Sequence, residues 1–513
     1  MENSKKMLKT AGFMAIATFM AKALGLLRDM LIATFFGTGI EADAYMMATR
    51  LPTTLFDIVL GGVISAAFIP VFNSVLEKKD KEKALEFANR FIGMVLLISG
   101  LITILGILFS DQLITLMAPK FGIEAHNLSK ELTMIMFPMI IFTGLAFSFV
   151  GILQSFGEFN IPAIMSLVSN LAVIVYFAIF GKRFGVYGLS VTMLVAWSLQ
   201  VIIQIPSLVK FKYKFRPSLN FRDENIRTAM KLALPMLIST WVQPLYSIIN
   251  MSLASGLDKG VSSLEYANRL YIVITGVFSF VITNLIFPKM SRANVSGKED
   301  EAKEMMVSSL KIVTFVILPV MAVFTVLAKP IIAILYQHGD FVLEDTLRTG
   351  NALAFYSLGM IGMAYNEILS KTFFSMKNSK TPMINALISL GVNIAVAYTL
   401  SKSMGISGLA IATACGSTVN AILNYICITK HYKTVFEKRD IKEIIKIIIS
   451  SILMAIIMTL VRFTAFSNFE LGFINGIIIV AVCGGIGGVI YGITCLILKE
   501  DILSNLIKGA KNK

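Results

Sequence analysis

Charge is scarce in this chain. Of its 513 residues only 15% are charged and 56% are hydrophobic, whereas a soluble protein carries about a quarter charged residues. A soluble fold is thereby excluded. Cysteine is scarce too: Cys415, Cys427, Cys483 and Cys495 lie in apolar helical patterns without Cys-x-x-Cys spacing, so neither disulfides nor a zinc site is expected. The three histidines, His126, His338 and His431, are scattered and form no ligand set. No metal and no cofactor are expected. A cleavable leader is not expected either, because Lys22, Arg28 and Asp29 interrupt the first apolar run.

What is abundant is apolar sequence. Long runs recur from Phe13 to Leu498, each near the ~20 residues that span a bilayer as a helix. We count fourteen, which use about 280 residues and leave room only for short loops and tails. The net charge of +15 is distributed on alternate loops, which argues against nucleic acid as a partner. With the amino end inside, the inner segments hold 33 Lys and Arg and the outer loops 8. The positive-inside rule then places both termini in the cytoplasm, as an even number of spans requires.

The chain also aligns with itself at an offset of about 218 to 220 residues. Gly185-Val-Tyr-Gly188 matches Gly405-Ile-Ser-Gly408, Ala48-Thr-Arg50-Leu matches Ala267-Asn-Arg269-Leu, and Ile161-Pro162 matches Thr381-Pro382. The expected fold is an all-α polytopic membrane protein with two pseudo-symmetric six-helix lobes, 1–208 and 226–430, joined by a basic linker, 209–225. Residues 431–513 add helices thirteen and fourteen and a tail. Two lobes of even helix number are related by an axis along the membrane normal, a symmetry of secondary transporters that bind substrate between the lobes. In helix fourteen Gly484, Gly488 and Gly492 recur every four residues, with Gly485 and Gly487 beside them, and this small-residue stripe predicts close packing of another helix.

Ionisable groups at membrane depth are costly and usually face a cavity or a partner. Here they are Lys22, Arg28 and Asp29 in helix one, Arg50 and Asp57 in helix two, Arg269 with Glu265 in helix eight, and Glu367 in helix ten. Arg28 lies nine residues before Gly37, about 13 Å deep at helical rise. Snorkelling or the local pairs Arg28–Asp29 and Arg269–Glu265 would account for some of these groups. The alternative is a cationic cavity in which guanidinium forks take a phosphate or carboxylate, with Asp29, Asp43 and Asp57 orienting them. Export of such an anion from an inside-negative cell gains about 2.3 kcal/mol per charge per 100 mV. Glu367, Asn385 and Asn393 are the candidates for coupling to Na+ or H+.

Several runs resemble the MurJ (MviN) family of lipid II flippases: Lys22-Ala-Leu-Gly-Leu-Leu-Arg28-Asp29, Asp43-Ala-Tyr, Arg50-Leu-Pro, Ala67-Phe-Ile-Pro-Val-Phe72, Tyr266-Ala-Asn-Arg269-Leu, and Phe373 to Pro382. The resemblance implies a member of the multidrug/oligosaccharidyl-lipid/polysaccharide exporter superfamily working by alternating access. Its cargo would be undecaprenyl-pyrophosphate-linked disaccharide-pentapeptide, lipid II, carried from the inner to the outer leaflet of the bacterial cytoplasmic membrane. Helices thirteen and fourteen would hold the polyprenyl tail. Membrane lipids and cell-wall synthesis proteins are the further partners it implies. By position Arg28, Asp29 and Arg269 match charged cavity residues of the family, Asp43 matches an acidic one, and Lys22 takes a place often held by Arg. Helix two departs from the pattern, with Phe56 and Gly61 where many members have Arg and Glu; Arg50 and Asp57 are the candidates to replace them. Another polyprenyl-pyrophosphate glycan is an alternative cargo, and a multidrug or cation antiporter a more distant reading. The polar loops carry no metal or acid–base constellation of a glycosyl- or phosphotransferase.

Overall fold

A computed structural model describes residues 2–61, 63–78, 80–220, 222–281, 286–432 and 434–504, with no side-chain description for 2–11, 65–66, 234–240, 242–243, 277–281 and 295. Lys5, Lys6 and Lys9 of the amino-terminal basic group, Lys79, Lys433, and the tail lysines after Ser504 therefore lie outside what is described. The described residues fold as helices without a strand. Nine helices among them are long and apolar enough to cross a membrane. Five further helical passages lie outside these nine: Glu2–Phe36, Ile40–Phe56 with Asp57–Gly61 and Ile69–Lys78, Glu224–Thr240 with Val242–Ala254, Gly260–Val281 with Phe287–Val295, and Leu343–Ser357 with Met360–Ser375; all but the third hold the charges singled out above.

The chain divides by packing into two units, Met1–Val261 and Ser262–Lys513. Each carries the same order of elements. In the first, Lys81–Leu108 is followed by the short Ser110–Met117, the broken pair Ile123–Met136 and Met139–Ser155, then Asn160–Phe180 and Gly185–Ile202. In the second, Glu299–Val326, Ala328–Tyr336, Leu343–Ser357 with Met360–Ser375, Lys380–Met404 and Ile406–Tyr432 repeat it. The matched glycines explain the match. Gly185 and Gly405 take left-handed φ of 53° and 59°, a conformation that costs a side chain but not glycine. A Cβ on Gly188 would meet the Tyr176 hydroxyl at 2.4 Å, and one on Gly408 the Leu400 carbonyl at 2.4 Å. Each pair thus turns the chain and lets the last helix of the six return against the one before it.

The helices Glu224–Thr240 and Val242–Ala254 pack within the first unit, against the second passage and the Ser110–Met117 helix. Trp241 Nε1 donates to the Ile58 carbonyl at 2.8 Å, and the Lys120 amide donates to Ser255 Oγ at 3.4 Å. The linker before them is fastened by one asparagine. Asn89 Oδ1 accepts from the Tyr213 hydroxyl at 2.7 Å and the Arg216 amide at 3.0 Å, its Nδ2 donates to the Lys214 carbonyl, and its own carbonyl accepts from the Ser218 amide. Arg90 pairs with Asp223, which caps the next helix by accepting from the Asn225 and Ile226 amides.

In the second unit Lys438–Ala465 and Phe473–Ile497 pack on each other, and both pack on Glu299–Val326. Of the expected glycine stripe, Gly487 does meet another helix, and the fourfold positions Gly484, Gly488 and Gly492 are corrected. A Cβ on Gly488 or Gly492 would meet nothing within 4 Å, and one on Gly484 only Leu327 at 4.0 Å. Close approach falls instead at Gly487, 2.6 Å from Met458 Sδ, and at Gly476, 2.9 Å from Ile334. Fourfold spacing marks one face of a helix, but which face meets protein depends on the neighbours.

Candidate functional site

Arg28 lies in the last third of an apolar helix and three of its five N–H groups are engaged. Nε and Nη2 donate to Asp29 Oδ1 at 3.1 and 2.9 Å, and Nη1 donates to Asn170 Oδ1 at 3.0 Å. Asn170 is itself fixed, because its Nδ2 donates to the Ala21 carbonyl at 3.0 Å and lies against Gly25, where a Cβ would stand 3.4 Å from it. The guanidinium is 21% exposed and the Asp29 carboxylate 8%. Such a group is held in orientation and still open on one side. Lys22, half-buried, stands six residues before it on the same helix.

Arg50 belongs to the Ile40–Phe56 helix, which contains Pro52. The missing amide and the ring of a proline disturb a helix interior, and from Asp57 to Gly61 the chain winds as a π-helix. Arg50 Nε donates to the neutral hydroxyl of Ser247 at 2.6 Å. Asp57, seven residues on, acts on Arg50 through its field and is solvent-exposed. Asp43 is buried in the first turn of the same helix, where the positive end of the helix dipole favours a carboxylate.

Arg269 belongs to the second unit and pairs one turn back with Glu265, Nε to Oε1 3.4 Å, the two side chains being 20% and 14% exposed. The expected local pairs Arg28–Asp29 and Arg269–Glu265 therefore both form. Farther along, Glu367 lies 3.8 Å from Lys371. Asn385 donates to Asn424 Oδ1 and Asn424 to Asn366 Oδ1, each at 2.8 Å. Asn393, two turns from Asn385, is fully buried with neither polar side-chain atom hydrogen-bonded among the described residues. No His, Cys, Asp and Glu group there is placed to hold a metal ion.

Charged side chains on interrupted helices, in a frame of apolar ones repeated twice, define a polytopic membrane carrier. Its fold is shared with a solved "inward-facing conformation of a multidrug resistance MATE family transporter of the MOP superfamily", with a TM-score of 0.68, 17% identity, and coverage of 83% of this chain and 98% of that one. At that identity the likeness is one of fold. The sequence profile described as "Lipid II flippase MurJ" matches residues 32–480, and the chain belongs to the MurJ family. A probable lipid II flippase MurJ of Rhizobium meliloti is 30% identical over 419 residues, 79% of this chain and 78% of the relative. One from Buchnera aphidicola subsp. Schizaphis graminum is 29% identical over 82% of each chain. The solved "Lipid II flippase MurJ, inward closed conformation" is 26% identical, with a TM-score of 0.78 and coverage of 96% of this chain and 99% of that one. The family is one of flippases, hence of transporters.

Two partners of the charged groups escaped sequence reasoning. Asn170 and Ser247 lie 142 and 197 positions from the arginines they touch. The only signal for Asn170 is an amide in an apolar helix, where it must find a partner.

Proposed function

We propose that this chain moves lipid II from the inner to the outer leaflet of a bacterial cytoplasmic membrane by alternating access, with both termini in the cytoplasm. Arg28, Arg50 and Arg269, supported by Lys22, bind the pyrophosphate. Asp29, Asp43 and Asp57 orient the cations and receive them back when the anion leaves. The polyprenyl tail rests beside the last two helices, where Gly488 and Gly492 leave an open surface. Glu367, Asn385 and Asn393 serve Na+ or H+ coupling, and the membrane potential assists outward movement of the anion.

The observation that carries this reading is Arg50. A guanidinium on the Ile40–Phe56 helix that donates to a neutral hydroxyl, with Asp57 acting on it only through its field, is open to an anion, and intramembrane cations are functional by default. Three guanidiniums among the charges on these helices disfavour a cation antiporter. Complementation of a bacterium depleted of its lipid II flippase tests it, with Arg28→Ala, Arg50→Ala and Arg269→Ala at matched membrane levels. Rescue by wild type and loss in the variants is expected. Failure of well-expressed wild type would redirect the reading to another polyprenyl-linked glycan, and full rescue by all three variants would refute the anion site.

A further inference from the structure

The first unit contains a recess of about 250 Å3 beside the π-helical turn Asp57–Gly61. Three aromatic side chains line it, beside the aliphatic Pro52, Met139 and Ile140. Phe56 is buried and stacks on Phe147, with centroids 5.9 Å apart and planes 26° apart, while Phe147 remains 37% exposed and Trp197 is half-buried. Thr53 and Thr143 also line it, and their hydroxyls donate back to the Thr49 and Met139 carbonyls at 3.1 and 2.7 Å, which leaves their lone pairs as acceptors. The remaining polar group is the Asp57 carboxylate, laid over Gly61 so that a Cβ there would stand 3.2 Å from Oδ1. A π-helical turn re-aims the side chains it carries and is frequent at functional sites.

The recess contains no Lys or Arg among its described lining residues, so it does not suit pyrophosphate. It is smaller than the ~300–1,000 Å3 of clefts for drug-sized ligands, room for one ring and not for a whole headgroup. Aromatic side chains with one carboxylate and two hydroxyl acceptors match a pyranose, whose C–H face is apolar and whose rim carries O–H and amide N–H donors. We propose that the recess holds one N-acetylhexosamine ring of the lipid-linked cargo, with Trp197 and Phe147 against its C–H face and Asp57 accepting from its rim. This assignment rests on the lipid II reading above.

The test is binding to the purified full-length chain in nanodiscs, with three ligands: lipid II, the same lipid-linked disaccharide without its peptide, and undecaprenyl pyrophosphate. Wild type is measured first; if it binds undecaprenyl pyrophosphate but neither sugar-bearing lipid, or none of the three, the lipid II reading itself fails. Where wild type binds all three, Trp197→Ala is expected to weaken both sugar-bearing ligands about tenfold and leave undecaprenyl pyrophosphate unchanged, with Trp197→Phe restoring most of the loss. Equal weakening of all three ligands, or of none, overturns the proposal. A loss seen with lipid II but not with the peptide-free disaccharide would assign the recess to the peptide and also overturn it. So would Asp57-dependent binding of benzyltrimethylammonium that does not compete with lipid II, which would make it a pocket for organic cations.

Discussion

Asn170→Leu should weaken anion binding without touching a charge. The side chain bridges the first helix to Asn160–Phe180, accepting from Arg28 Nη1 and donating to the Ala21 carbonyl, each at 3.0 Å. That carbonyl also lies inside the helix Glu2–Phe36, so removal of the amide leaves it its helical partner. What is lost is the hydrogen bond to the guanidinium. Bonds to charged groups contribute about 1.5–3 kcal/mol when buried; with the Arg28 side chain 21% exposed, about 1–2 kcal/mol is the appropriate range. At ~1.4 kcal/mol per decade, the affinity for undecaprenyl pyrophosphate should fall about tenfold, because the fork then rotates about the Asp29 contact.

Titration in nanodiscs reads this directly, and growth of a flippase-depleted strain reads its consequence. Asn170→Asp separates position from charge. It keeps the acceptor and holds Arg28, but it adds a carboxylate beside the phosphate and should weaken binding further than leucine does. The reasoning is refuted if Asn170→Leu binds as wild type does while Arg28→Ala does not, since Arg28 would then need no second support.

The linker clamp should be acid-sensitive at one carboxylate. Burial opposes ionisation of Asp223, but the Ile226 and Asn225 amides and Arg90 outweigh it and hold its carboxyl below the ordinary 3.8. Its contribution is therefore complete above that value and lost as pH falls through the lower folded one, so protease nicking of the linker should rise only below about pH 4 and lose that dependence in Asp223→Asn. Asn89→Ala removes three side-chain hydrogen bonds and should destabilise by about 1–3 kcal/mol at every pH for partly exposed bonds, read as a lower unfolding temperature. Gly408→Ala should destabilise by about 1–3 kcal/mol and more than Gly188→Ala, because it meets a backbone carbonyl where the other meets a side-chain hydroxyl; thermal unfolding in detergent ranks them. Gly488→Ala should leave that unfolding unchanged, because its Cβ would meet no atom within 4 Å, and Gly488→Phe should reduce rescue if the tail lies there.

Much of the frame was readable in advance because its constraints are local. A left-handed turn at Gly185 and Gly405 and a close approach at Gly188 and Gly408 require glycine whatever surrounds them, and so leave a repeat in the letters. Arg28, Arg50 and Arg269 stood out because charge is rare at membrane depth. Their partners did not. Asn170 and Ser247 are ordinary polar residues until the fold brings them beside a guanidinium, and the π-helical turn after Phe56 depends on how neighbouring helices take up the disturbance at Pro52. The glycine stripe held at Gly487 and not at its fourfold positions for the same reason, since periodicity defines a face and not its occupant.

Arg50 and Arg269 align in the repeat but do not share a chemistry. Arg269 is ion-paired with a carboxylate one turn away, and on the proposed reading an arriving pyrophosphate must compete with Glu265 for it. Arg50 donates to a hydroxyl, which an anion displaces or leaves in place without separating two charges. On the proposed reading the positive potential is therefore greater at the first position, where Asp57 acts only through its field, and the second is partly neutral until Glu265 is released. Glu265→Gln should then strengthen undecaprenyl pyrophosphate binding several-fold by removing the competing charge, while Ser247→Ala should weaken it slightly by freeing the Arg50 side chain. Ionic strength supplies the check, because removal of a carboxylate steepens the salt dependence of anion binding and loss of a hydroxyl does not. If Glu265→Gln weakened binding instead, Glu265 would be orienting Arg269 for the ligand, and the two arginines would be equivalent after all.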